Sequence, residues 1–256
     1  MSDPPRFDDY RRLNEPRFRR SYESQRGIFV AEGPTVVDRI ASRTPGLVLS
    51  VLVDERRPDR APASVDAPVH ALSAGDIERI VGFPFHRGVL AVCARPPMVA
   101  VDDVASLGAV AVLEGINDHE NLGAIIRAAA GLGVSGILLD PTTADPWYRR
   151  SVRVSMGTIV DVQFARSSDW PADIDRLRSG GMRLVAASPT AETDVRTLGP
   201  VPRALIAVGA EGPGLSDHVL SKADLRVRIP MVAGVDSLNV GQAAAILFDR
   251  LVADPS

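Results

Sequence analysis

The sequence predicts an α/β fold in two blocks, and three observations carry that expectation. Apolar strand-like runs alternate with helical patterns along most of the chain. The run Ala109–Leu113 is apolar at every position, the pattern of a strand buried on both faces of a parallel sheet. The alternation is interrupted once by a proline-rich junction, Arg95-Pro96-Pro97. A chain of 256 residues fits one large domain or two modest ones, and the expected division is 1–97 and 98–256.

In the first block, Ile28–Ala31 reads as a short strand, and Glu32-Gly33-Pro34 opens a helix through Ile40. Val48–Val53 is a second strand, followed by a loop rich in proline, arginine and aspartate over 56–68. Val69–Leu72 is a short strand, Ser73 caps a helix to about Val81, and Val89–Ala94 closes the block. Upstream, arginine is dense (Arg6, Arg11, Arg12, Arg17, Arg19, Arg20, Arg26), offset by Asp3, Asp8, Asp9, Glu15 and Glu23. A solvated helical arm is the expectation there, with a basic face as the alternative.

The second block begins with a short helix, Val101–Ser106, before the buried strand Ala109–Leu113. A helix over Leu122–Leu132, a strand over Gly136–Leu139, a helical segment over Trp147–Met156 and a strand near Val160–Phe164 follow. Then come helix Pro171–Ser179, strands Arg183–Ala187 and Ala204–Val208, helix Ser216–Lys222, strand Leu225–Ile229 and a final helix Asn239–Val252. No internal repeat or low-complexity tract interrupts this order.

Composition excludes several classes. No apolar run approaches the roughly 20 residues that span a bilayer. The start, MSDPPRFDDYRRLNEPRF, lacks a hydrophobic signal core, so the chain is expected to be soluble and cytoplasmic. The single cysteine, Cys93, lies in an apolar run and is expected as a buried strand residue; no intrachain disulfide framework or cysteine-based metal site is possible. A net charge of −3 argues against a strongly basic nucleic-acid binder, yet nearly all the positive charge is arginine, Lys222 being the only lysine. Arginine's planar fork suits phosphates and stacks on bases; a G+C-rich coding sequence accounts for the bias equally well.

Three segments could carry chemistry. Asn117–Arg127 follows the buried strand, so it lies at a strand's C-terminal end, where open α/β sheets bind ligands. Asn121 and Asn117 can cap or order the turn, and Arg127 stands six residues beyond Asn121 on an otherwise apolar helix. An arginine there either snorkels to a local carboxylate or aims at a substrate phosphate or hydroxyl. His119 reads as a solvent-facing loop residue. The second segment, Gly209-Ala210-Glu211-Gly212-Pro213-Gly214-Leu215, also follows a buried strand. It fits neither the dinucleotide fingerprint nor the P-loop; three glycines around one glutamate suggest a tight loop that presents a carboxylate and leaves room for a ligand. The third, Ile229–Leu251, runs from a strand end through Pro230 and Gly234 to Ser237-Leu238-Asn239, where Ser237 can cap an apolar helix. Backbone groups there can grip a small polar ligand at a helix N-terminus.

Taken together, the order N-x₃-N-L-G-x₃-R, G-x-E-G-x-G-L and I-P-M-x₆-L-N-V resembles the three signature motifs of the SpoU-type (TrmH-like) RNA ribose 2′-O-methyltransferases of the SPOUT superfamily, over about Val110–Leu251. Arg149–Gly157 is similar to the helix between the first two motifs. Phe29-Val30-Ala31-Glu32-Gly33 and His86-Arg87-Gly88-Val89 resemble segments of the family's substrate-binding domain, with Arg87 in place of the usual glutamine. Gly241 stands where the family usually has serine or alanine, a change expected to loosen the helix start.

The resemblance implies a C-terminal trefoil-knotted SPOUT methyltransferase domain and a smaller N-terminal α/β, ribosomal-protein-like domain that binds RNA. It implies S-adenosyl-L-methionine as cofactor, held by Gly209, Glu211, Gly212, Ile229, Pro230, Met231 and Leu238. It implies Arg127, Glu211, Ser237, Asn239 and Asn121 as the catalytic set, no metal, and a homodimer whose site is completed at the subunit interface. The expected reaction is methyl transfer to a ribose 2′-hydroxyl of RNA, with rRNA preferred and tRNA open. A non-catalytic RNA-binding or ribosome-assembly factor with the same fold is the competing reading, and a nicotinamide-dependent oxidoreductase lacks its fingerprint.

Overall fold

The computed structural model describes residues 7–232 and 237–253; Arg6, Asp3 and Gly234 lie outside them. Along the chain, a 3-10 turn at Phe7–Tyr10 leads into α1 (Pro16–Arg26), then β1 (Ile28–Glu32), α2 (Pro34–Arg43), β2 (Val48–Asp54), β3 (Val69–Leu72), α3 (Ala74–Val81) and β4 (Val89–Ala94). Next come α4 (Val101–Val104), β5 (Val110–Glu114), α5 (His119–Gly131) and β6 (Gly136–Leu139), followed by α6 (Arg149–Val154). The remainder is β7 (Gln163–Arg166), α7 (Trp170–Ser179), β8 (Arg183–Ala187), the two-residue β9 (Thr193–Asp194), β10 (Ala204–Gly209), α8 (Asp217–Lys222), β11 (Leu225–Arg228) and α9 (Val240–Leu251).

These elements form two compact units. The first takes residues up to Pro96 together with Asp145–Val160, and the second takes Pro97–Ala144 and Asp161 onward. The sequence reading had assigned 145–160 to the second block. That segment joins the first unit because Trp147 is buried against Phe29, ring centroids 4.9 Å apart, and Arg149 donates to Glu32 Oε2 at 2.7 Å.

In the first unit the sheet order is β1-β4-β2-β3, antiparallel except for the β2–β3 pair. Its core includes Tyr10, Leu13, Ile28, Val30, Leu52, Ile77, Val81, Leu90 and Val92, and Cys93 is buried in β4. The arginine-rich start is helical, and Arg11, Arg12, Arg17, Arg20 and Arg26 are exposed as expected, but one ion pair of α1 is buried. Arg19 and Glu23 are each 1% exposed and pair at 2.8 Å within α1. Tyr10, also buried, shares a hydrogen bond with Ser50 at 2.8 Å. Arg95 closes the network, contacting Asp145 at 2.8 Å and donating to the Ile28 carbonyl at 2.6 Å. Burial raises the Glu23 carboxyl pKa, and the charges of Arg19 and Arg95 oppose that shift. Buried charges persist only when paired in this way.

The second unit holds a seven-stranded, all-parallel sheet in the order β7-β6-β5-β10-β8-β11-β9. Helices cover it, and Val110, Val112, Leu138, Leu184, Leu205 and Ala207 fill one core layer with Ile174, Leu177 and Val219. The strand expected near Val160–Phe164 lies later: a 3-10 turn occupies Thr158–Asp161, and β7 begins at Gln163. The sheet order changes direction around β5 and β10. Ligands of open parallel sheets lie at such switch points, beyond the strand C-termini.

Candidate active site

Three strands of the second unit and the entry to α9 meet at one cavity of about 580 Å³, within the range of small-molecule sites. Its lining comes from Ala187–Pro189 after β8, Val208–Gly212 and Gly214 at the end of β10, Val227–Ile229 and Met231 after β11, and Ser237–Val240 with Ala243 entering α9. Of the expected cofactor residues, Gly209, Glu211, Gly212, Ile229, Met231 and Leu238 line it. Pro230 is half-buried and is not among the lining residues. Gly209 is demanded by packing: a Cβ there would stand 2.2 Å from the Gly214 carbonyl carbon and 2.4 Å from the Leu215 nitrogen.

At the rim, Asn239 organises three segments. Its side-chain oxygen accepts the backbone N–H groups of Gly241 at 2.9 Å and Gln242 at 3.3 Å, so Asn239 is the N-cap of α9. Its amide nitrogen donates to Asn121 Oδ1 at 2.6 Å and Glu211 Oε1 at 3.0 Å. Glu211 Oε1 also accepts from Val240 N at 3.3 Å, placing a carboxylate at a helix N-terminus, where it is favoured. Ser237 therefore does not cap α9; the helix starts at Val240, three residues further on, and Ser237 instead lines the cavity.

The helix α5 supplies the other side. Asp118, not Asn117 or Asn121, caps it, accepting from Glu120 N at 2.8 Å and Asn121 N at 2.9 Å. His119 is half-buried and opens that helix rather than standing in a solvent-facing loop. Arg127 is exposed, and among the described residues it has no hydrogen bond or ion pair. The snorkelling contact to a local carboxylate is therefore not formed among the described residues. Arg127 and Asn121 are not among the residues lining the cavity.

Gly241, the departure noted in the third motif, has a packing reason. It is buried where α9 crosses α5, and a Cβ there would stand 2.9 Å from Ala124 Cβ and 3.2 Å from Asn239 Oδ1. The helices approach closely because neither a serine nor an alanine stands at that position.

Sequence reasoning missed two contributors. Among the described residues, Arg228 is the one cation lining the cavity, and Glu114 holds the base of the glycine-rich loop. Each ends a strand of the parallel sheet, and that position was the available signal. Among the described residues there is no group of three metal-ligating side chains, and no helix is long and apolar enough to cross a membrane.

The profile of the SpoU rRNA Methylase family matches residues 108–249. The chain belongs to the SpoU rRNA methylase family. Among its SpoU/TrmH relatives, an uncharacterised tRNA/rRNA methyltransferase of Mycobacterium tuberculosis is 44% identical, over 96% of this chain and 88% of that protein. The 23S rRNA guanosine 2′-O-methyltransferase RlmP of Bacillus subtilis is 25% identical, over 95% and 94% of the two chains. The AdoMet-bound rRNA methyltransferase of Sinorhizobium meliloti shares the fold with a TM-score of 0.79, at 24% identity, over 95% of this chain and 92% of that one.

Proposed function

We propose that this SpoU-family chain is an S-adenosylmethionine-dependent RNA methyltransferase acting on a ribose 2′-hydroxyl, with rRNA as the preferred substrate. The observation that carries the reading is the cavity at the strand ends, bordered by the Asn121–Asn239–Glu211 cluster. Its chemistry fits the cofactor. Val208, Val227, Leu238 and Ala243 offer apolar walls for an adenine ring, and Gly209 lets backbone groups approach it. Glu211 and Arg228 bring one charge of each sign for a ligand that carries both.

When bound, S-adenosylmethionine supplies a methyl group on positively charged sulfur, already a good leaving group. The protein's work is then to orient two reactants and to help remove one proton. Arg127, exposed and unpartnered among the described residues, binds a substrate phosphate and orients the ribose hydroxyl; a guanidinium resists deprotonation, so the hydroxyl proton passes to the bound phosphate oxygen and on to water as the oxygen takes the methyl group from sulfur. Asn239 and Glu211 fix the entry to α9, and Asn121 ties that entry to the helix bearing Arg127.

Three further assignments belong to this reading. Ile229–Leu251 is the segment that threads the trefoil knot. The chain works as a homodimer, the partner completing the site. The first unit binds the RNA: its Phe29–Gly33 and His86–Val89 segments are neighbours, Gly33 N donating to the Val89 carbonyl at 3.0 Å, and Arg87 pairs with Glu32 at 3.2 Å.

Mapping 2′-O-methyl groups across total RNA, with and without this protein in the producing strain, tests the reading. One rRNA nucleotide is expected to lose its methyl group. A lost tRNA methyl group would redirect the substrate, and an unchanged map would favour a non-catalytic RNA-binding role.

A further inference from the structure

Glu114 ends β5 half-buried, and both of its carboxylate oxygens are engaged. Oε1 accepts the indole N–H of Trp170 at 2.8 Å, and Oε2 accepts the backbone N–H of Ser216 at 2.8 Å. In the sheet, Glu114 is also the register partner of Gly209, the last residue of β10. The loop that leaves the sheet at Gly209 returns at Ser216, where α8 is capped. One residue therefore holds both ends of the segment whose Gly209, Ala210, Glu211, Gly212 and Gly214 line the cavity.

The chain beyond Glu114 is equally fixed. Gly115 N donates to Asp140 Oδ1 and Ile116 N to Thr143 Oγ1, each at 3.1 Å. It then enters the Asp118 cap of α5, the helix of Asn121 and Arg127. A loop with three glycines loses much conformational freedom when ordered. A carboxylate that accepts its closing N–H in a set direction removes part of that freedom before any ligand arrives.

We infer that Glu114 is a positioning residue, holding the Gly209–Ser216 loop in its ligand-gripping shape and joining that loop to the helix that carries Arg127. The inference rests on the cofactor reading of the cavity given above. Glu114→Gln keeps the size but replaces one acceptor oxygen with an amide that cannot accept; Trp170→Phe removes only the indole donor. Titration calorimetry with S-adenosylhomocysteine is expected to show about a tenfold weaker Kd for E114Q, the scale of one lost charge-assisted hydrogen bond. KM for S-adenosylmethionine rises in step while kcat at saturation holds, and the Ser216 amide exchanges its hydrogen faster. W170F shows a smaller loss, and the double variant is no worse than E114Q.

A packing role alone would lower thermal stability and the active fraction with Kd and KM unchanged. That pattern, or an unaltered Ser216 amide, overturns the inference while wild-type binding stands. If the wild-type chain binds no S-adenosylhomocysteine, the cofactor reading itself falls and takes this inference with it.

Discussion

Asn239 and Asn121 stand 118 positions apart and share a 2.6 Å hydrogen bond, the amide of Asn239 donating to the side-chain oxygen of Asn121. The same amide reaches Glu211 at 3.0 Å, and its oxygen caps α9. One short side chain thus joins residues from all three motif segments.

Asn239→Ala removes the cap and both cross-links. A lost N-cap costs about 1 kcal/mol, and thermal denaturation should show at least that loss. Asn239→Asp separates the two roles: it can still cap α9, but it places a second carboxylate against Glu211 and loses the donor to Asn121. N239D is therefore expected to weaken S-adenosylhomocysteine binding despite an intact cap, and equal binding by N239D and wild type would contradict the role given to the amide.

Gly241→Ala tests the α5–α9 crossing. An exposed helical glycine replaced by alanine gains up to about 1 kcal/mol. Here the new Cβ meets Ala124 Cβ at 2.9 Å, and overpacking of this kind costs about 1–3 kcal/mol. The melting temperature should fall, and Ala124→Gly in the same chain should recover part of it. A rise in melting temperature for G241A would show that the helices part freely.

Arg127→Ala should leave the fold and S-adenosylhomocysteine affinity unchanged, because Arg127 is exposed and lies off the cavity wall. Methyl transfer should fall by about 100-fold or more, the scale of losing a group that orients the reactants. Arg127→Lys should restore little, since an ammonium lacks the bidentate fork. Unchanged turnover in R127A would remove Arg127 from the reaction.

Asp140 gives a pH signature. Burial raises its carboxyl pKa, but hydrogen bonds from Thr142, Thr143 and Gly115 outweigh burial and hold it below the ordinary 3.8. A carboxylate with a depressed folded pKa contributes stability that is present above the unfolded value and is lost as pH falls through the folded one. Acid unfolding followed downward from pH 5 should therefore be shallower in Asp140→Asn than in wild type. Identical slopes would show that Asp140 gains nothing from its cradle.

Much of this molecule was legible in its sequence, for physical reasons that differ by element. The strands β5, β10 and β8 could be read because burial on both sheet faces leaves unbroken apolar runs. The position of Gly209 beside the cavity followed from the C-terminal strand rule. The buried side of the first helix was not legible because its interior residues are an arginine and a glutamate, and only tertiary pairing of Arg19, Glu23 and Arg95 reveals them as interior. Ser237 looked like a cap because the true start of α9 depends on Asn239 being drawn toward Asn121 and Glu211, a long-range contact with no local signature. Glu114 escaped notice because a glutamate that closes an apolar run looks like any strand terminus; its partners lie 56 and 102 positions away.

The central claim is transfer of a methyl group from S-adenosylmethionine to a ribose hydroxyl of RNA, and the most direct measurement is the identity of the labelled product. Purified protein would be incubated with methyl-labelled S-adenosylmethionine and RNA from cells lacking it, and the RNA digested to nucleosides for mass spectrometry. The account predicts label in a 2′-O-methylated nucleoside derived from rRNA, absent with R127A. Label on a base, or no label in RNA from a chain that binds the cofactor, would contradict it.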